Sequence, residues 1–149
     1  MSLAERIRSD LAQAIKQNDK ERRSALRLIL AGLQNEEKSQ RKTLDDAGVI
    51  DVLTREVKKR RESIEAFEQG NRPDLVAQEK AALDIISDYM PQQMSNDEVI
   101  AAAKKVIEEV GATGPGDKGK VMSQLVPQTK GRAEGKIVND IVTELLSNI

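Results

Sequence analysis

Apolar residues recur along this chain every three or four positions, with polar residues filling the gaps. Leu3, Ile7, Leu11, Ala14 and Ile15 share one helical face, behind Ser2 and Glu5 at the spacing of a capping box. A first helix is therefore expected to run to about Lys16. Asn18-Asp19 breaks and recaps the chain, after which Leu26, Ile29, Leu30 and Leu33 form a second stripe toward Glu37. The polar run "EEKSQRKTLDDAG" holds the turn.

A third helix is expected over about 49–69 on Val49, Leu53, Val57, Ile64 and Phe67, ended by Gly70-Asn71, residues that tolerate a left-handed cap. Pro73 suits the start of a fourth, with Leu75, Val76, Leu83, Ile86 and Met90 as its buried face. Pro91 closes this half, and Ser95 with Glu98 opens a second capping box ahead of Val99, Ala103, Val106, Ile107 and Val110. Gly111 ends that helix, and the turn-rich "GATGPG" argues against regular structure. Two short helices are expected to follow, over about 117–126 and 133–147, separated by Pro127 and Gly131. The pattern predicts an all-α fold: an N-terminal helical domain of about four helices over 1–92, then a small three-helix domain over 93–149.

Composition agrees with helices, since charged residues make up 33% and aromatics 1% of the chain. It also removes chemistry. Without a single cysteine or histidine, there is no disulfide, no thiolate nucleophile, no Cys- or His-based metal or haem site and no Ser-His-Asp machinery. No cofactor, no metal and no catalytic residue is assigned. No basic start leads into an apolar run and no stretch approaches the length of a membrane helix, so the protein is expected in the cytoplasm, with no membrane partner.

The net charge of −1 conceals a polarity along the chain. Lys20 to Arg61 holds twelve Lys/Arg against seven Asp/Glu, whereas Glu62 to Glu109 holds four against eleven. Residues 117–136 are basic again. In "VKKRRES" (57–63) consecutive residues point to different helical faces, so the charges are expected to spread over the solvated side and pair with Glu56, Glu62 and Glu65. Glu65, Glu68, Glu79, Asp84 and Asp88 lie in no acidic metal motif and are read as solubilising.

"GDKGKVM" lacks the Gly-Lys-Ser/Thr ending of a phosphate-binding Walker loop, because Val121 follows Lys120. In "KGRAEGK", Gly131 and Gly135 bracket Arg132 at the expected start of the last helix. Backbone N–H groups there favour an anion. The same glycines also suit a tight turn and close helix packing, with Lys130, Arg132 and Lys136 merely exposed. Physical reasoning alone leaves both readings open.

The stretch "GDKGKVMSQLVPQTKGRAEGKIVNDIVTELL" resembles the closing segment of the GatB/YqeY family, and the resemblance continues upstream through "KKRRESIEAFEQGNRPDL" and "YMPQQMS". It implies an all-helical fold whose last three helices are similar to the tail of the B subunit of the tRNA-dependent glutamine amidotransferase, a tail associated with tRNA. The matching positions that bear polar side chains, Lys120, Lys130, Arg132 and Asn139, join Lys118 and Lys136 as candidates for RNA contact, with Gly119, Gly131 and Gly135 as motif glycines. Lys118, Ser123 and Glu134 stand where the family commonly has methionine, glycine and aspartate. The expected function is a non-catalytic adaptor that binds tRNA, alongside a tRNA amidotransferase or an aminoacyl-tRNA synthetase. Two alternatives remain: a protein-interaction module without RNA binding, and family-level carbon–nitrogen ligase activity with glutamine as amide donor.

Overall fold

The computed structural model describes residues 1–149 and contains α-helices joined by turns, with no strand. Two compact units divide the chain, Met1–Met90 and Pro91–Ile149. The first holds α1 (Leu3–Lys16), α2 (Lys20–Gln40), α3 (Asp46–Gln69) and α4 (Pro73–Ser87). The second holds α5 (Asn96–Val110), a 3₁₀ turn at Pro115–Asp117, α6 (Lys118–Thr129) and α7 (Gly135–Ser147). The all-α class read from the apolar period is the class observed.

Local chemistry explains most of the helix starts. Ser2 with Glu5 and Ser95 with Glu98 form complete capping boxes. Asp19 and Asp45 accept from the backbone N–H groups of Arg22 and Gly48 at 3.2 and 2.8 Å. The Asp45 cap starts α3 three residues earlier than its apolar stripe suggests. At the other end of α3 the left-handed residue is Asn71, at φ 55°, while Gly70 keeps φ −80°. The largest departure is α6, expected to stop before Pro127 but continuing to Thr129 with the proline inside it. Pro127 sits in the last turn, and the Lys130 N–H bonds the Val126 carbonyl at 2.9 Å to close the helix beyond it.

Ile7, Leu26, Ile29, Leu33, Val49, Leu53 and Ile86 form the centre of the first core. Not every stripe residue reaches it: Ile15 is 46% exposed, and Leu75, Val76 and Leu83 of α4 are half-buried. Glu56 instead occupies a buried position on α3, and its charge is met from both sides. Arg60 reaches Glu56 at 3.3 Å and Glu79 of α4 at 3.2 Å, and Lys59 approaches Glu56 at 3.6 Å. The basic run is therefore partly consumed inside the fold. Its unforeseen partner, Glu79, ties α3 to α4.

Tyr89 closes the first unit. Its ring is buried beneath the Arg6 guanidinium, 4.9 Å from the ring centroid, and its hydroxyl donates to Asp10 at 2.5 Å. Arg22 holds the same Asp10 carboxylate at 3.5 Å. Burial, then the hydrogen bond to Asp10, push the Tyr89 hydroxyl above its ordinary value of 10.0.

Two outcomes are expected. Arg60→Ala leaves two carboxylates facing a partly buried gap and costs about 3 kcal/mol in urea unfolding, whereas Arg55→Ala, breaking an exposed pair with Glu36, costs under about 1 kcal/mol. Equal losses would show that the Glu56 cluster is not desolvated. Tyr89 is the sole tyrosine in a chain without tryptophan, so its ultraviolet titration is unobscured. A folded-state value above the unfolded one means stability that is full below about pH 10 and is lost as pH rises through the folded value. Tyr89→Phe should abolish that alkaline loss.

Candidate nucleic-acid interface

The core of the second unit is built from Val99, Ala103 and Val106 of α5, Val121 and Leu125 of α6, and Val138, Val142 and Leu146 of α7. These residues recur at helical spacing, so the polar positions between them face outward. The connector after α5 turns at Gly111, whose φ is 66°. Asp117 then organises the loop by accepting from the Thr113 backbone N–H at 2.9 Å and from its hydroxyl at 3.2 Å. Those two bonds, the backbone one foremost, and the charge of Lys120 hold the Asp117 carboxyl below the usual carboxylate range.

The "KGRA" turn is a structural clamp. Gly131 is buried and lies at φ 74°, in the left-handed region. The Thr129 carbonyl accepts from the Arg132 and Ala133 N–H groups at 2.8 and 3.0 Å. Onto this turn the segment Gln92–Met94 is strapped by three hydrogen bonds. Arg132 Nε donates to the Gln92 carbonyl at 3.0 Å, Gln93 Nε2 donates to the Gly131 carbonyl at 2.8 Å, and the Met94 N–H donates to the Arg132 carbonyl at 2.8 Å. Arg132 does not open α7, which begins three residues later at Gly135. Its half-buried side chain is committed to the fold.

Gly135 also departs from the packing role considered for it, because a Cβ built there meets nothing within 4 Å, and the same holds at Gly119. Neither has a left-handed backbone. Gly131 alone of the three motif glycines is required by backbone geometry.

The candidate residues fall at two places. Lys118, Gly119 and Lys120 form the first turn of α6, whereas Lys130, Gly131, Arg132, Gly135 and Lys136 surround its far end and the start of α7. Twelve helical residues separate the two places, about 18 Å. Lys120 and Lys136 are exposed and Lys118 is half-buried. Asn139 stands half-buried on α7 one turn beyond Lys136. Gln92, Gln93, Thr129 and Asp117 complete the scaffold. Only Asp117, an acid just ahead of a helix in a glycine-rich loop, carried a local signal in the sequence. No group of three or more carboxylates is placed to hold a metal ion.

Helix electrostatics distinguish this region from the rest of the chain. α1 to α5 each carry an acid in the first turn: Glu5, Glu21, Asp46, Asp74, and Asp97 with Glu98. α6 and α7 place lysines there instead, and their nearest acids, Asp117 and Glu134, stand at the preceding cap positions without a side-chain bond to the helix. A lysine at a helix N-terminus opposes the macrodipole. A bound anion would reverse that penalty.

The family model described as "Yqey-like protein" matches residues 4–146. Over 133 residues the chain is 29% identical to "Altered inheritance of mitochondria protein 41, mitochondrial" of Pyrenophora tritici-repentis, covering 86% of this chain and 71% of that protein. It is 31% identical over 112 residues to the protein of the same name from Lachancea thermotolerans, covering 73% and 60%. The Saccharomyces cerevisiae (strain YJM789) protein of that name is 32% identical over 87 residues, covering 58% and 47%. The chain thus spans between about half and seven tenths of the length of these relatives.

Gly131→Ala should cost about 1–2 kcal/mol in urea unfolding, because alanine is strained at the left-handed position. Arg132→Ala should cost about 1 kcal/mol through the lost bond to Gln92 and should speed amide exchange at Met94. If Arg132→Ala left both stability and Met94 exchange unchanged, the clamp would not be holding the segment.

Proposed function

The chain belongs to the YqeY-like family, and on that premise we infer that it is a non-catalytic helical adaptor that binds tRNA through Pro91–Ile149. It works beside a glutamine-dependent tRNA amidotransferase or an aminoacyl-tRNA synthetase.

The observation that carries this reading is the coincidence of three features at the starts of α6 and α7: lysines, no first-turn acid, and a glycine over open space. Gly119 and Gly135 cost the helices some stability relative to alanine and return nothing in packing or backbone conformation. Their use is external. A missing side chain lets a phosphate approach the free N–H groups, and the flanking lysines supply the countercharge. Two such places about 18 Å apart suit a folded polyanion better than a small ligand. With aromatics at 1% of the chain, base stacking is not the main grip, so recognition is of backbone and shape.

Arg132 acts here as a positioning residue, fixing the turn from which α7 starts. The expected cytoplasmic location belongs to the proposal as well. The fungal relatives are named mitochondrial, and no helix of this chain is long and apolar enough to cross a membrane.

Gly119→Ala combined with Gly135→Ala should move two quantities in opposite directions: thermal stability up, by as much as about 1 kcal/mol per site, and tRNA affinity of the whole chain down by about tenfold. Lys118→Gln with Lys120→Gln and Lys136→Gln should lower the slope of log affinity against log salt by about two to three. Unchanged affinity and slope in both variants would defeat the tRNA reading and direct attention to a protein partner. Glutamine turnover by the isolated chain would contradict its non-catalytic character.

A further inference from the structure

The basic stretch from Lys20 to Arg61 plays no part in RNA contact through α6 and α7, and α2 carries much of it. At 3.6 residues per turn, Lys20, Arg23, Arg27 and Lys38 fall within about 60° of one another around the helix. The buried residues Ala25, Leu26, Ile29 and Leu33 lie on the opposite side. The stripe is about 27 Å long, with Ala31 and Gln34 along it between the cations. Lys20, Arg27 and Lys38 are exposed and Arg23 is half-exposed.

No acid interrupts it. Glu21, Glu36 and Glu37, the three acids of α2, point at least about 40° beyond its edges, and Glu36 is turned to Arg55 of α3 at 3.1 Å. No carboxylate pairs with the four stripe side chains, while their neighbour Arg22 is held by Asp10 at 3.5 Å. An ordinary solvated helix mixes signs, gaining from Glu–Lys pairs three or four residues apart. Here Lys20 and Arg23, then Arg23 and Arg27, are like-charged neighbours at those spacings, and the first two also stand in the turn where the macrodipole repels cations. Lys20, Arg23 and Arg27 repel one another, Asp19 and Glu21 offset the first-turn cations in part, and an external anion along the stripe would relieve the rest.

Resting on the reading of the chain as an RNA-binding protein, we propose that the outer face of α2 is a second docking surface for the phosphate backbone of a structured RNA. Charge complementarity selects this occupant. A row of cations on a rigid helix meets a partner along its whole length only if that partner carries negative charge at short, regular intervals, as a nucleic-acid backbone does. Insertion into a membrane surface is disfavoured, because Leu26, Ile29 and Leu33 are committed to the core, Leu30 is partly buried against it, and Leu28, 44% exposed, is the only exposed large apolar residue of α2. No side chain on the stripe reads bases, so the contact adds affinity and salt dependence without sequence preference.

The test uses the whole chain with a folded tRNA transcript, followed by fluorescence anisotropy across a salt series. Three variants are compared: Lys20→Gln, Arg23→Gln, Arg27→Gln and Lys38→Gln together; Lys118→Gln, Lys120→Gln and Lys136→Gln together; and Lys20→Arg, Arg23→Lys, Arg27→Lys and Lys38→Arg together. The first should keep the wild-type far-ultraviolet dichroism, lose about tenfold or more in affinity and show a salt slope smaller by about two to four. The charge-conserving variant should bind like the wild type. If the α2 variant retains wild-type affinity and slope while the second loses both, the stripe is overturned and the α6–α7 reading stands. If only the α2 variant loses binding, the stripe stands and the α6–α7 reading falls. Absence of tRNA binding by the wild type overturns both. Tighter binding to vesicles of anionic phospholipid, or to polyglutamate, than to tRNA overturns the choice of RNA.

Discussion

The first N–H groups of an α-helix have no partner within it, and the way each helix meets that need sorts this chain into scaffold and surface. Four starts are closed from inside by Ser2, Asp19, Asp45 and Ser95. α4 begins instead with Pro73, which has no N–H to satisfy, and with Asp74 behind it. α6 and α7 have acids at the cap position, Asp117 and Glu134, but no side-chain cap bond and no acid within the first turn. The features that look anomalous in the sequence, the glycines and lysines of the "GDKGK" and "AEGK" stretches, gather at those two starts. The account of function depends on this asymmetry.

The remaining polar side chains divide the same way. Some are consumed inward: Glu56 with Arg60 and Glu79, Asp10 with Tyr89 and Arg22, Arg132 with the Gln92 carbonyl. Each ties together stretches far apart in sequence. Others face outward and find no opposite charge, above all the stripe on α2. A chain with net charge −1 can therefore present locally cationic surfaces, because its carboxylates are used elsewhere.

Much of the fold was legible in the sequence because its signals are local. A capping box, a left-handed glycine after α5 and an apolar period of three to four can all be read within a few residues, and the structure realises them at Ser95, Glu98 and Gly111. What escaped reading depended on distant partners or on competing local rules. Pro127 suggested a stop, yet a proline in a final turn leaves the following closure intact. Arg132 looked like an exposed cation at a helix start, but its partner lies forty residues upstream in a segment with no distinctive pattern. Gly131 and Gly135 look equivalent in sequence, and only backbone geometry separates the glycine the turn requires from the one it does not.

Amide hydrogen exchange on the whole chain, with and without folded tRNA, tests the central claim most directly, since the uncapped N–H groups are themselves the proposed phosphate contacts. The account predicts that tRNA slows exchange most strongly over 119–120 and 135–137, where amides without intrahelical partners exchange fast in the free protein. Protection absent from both segments, with tRNA shown to be bound, would contradict it.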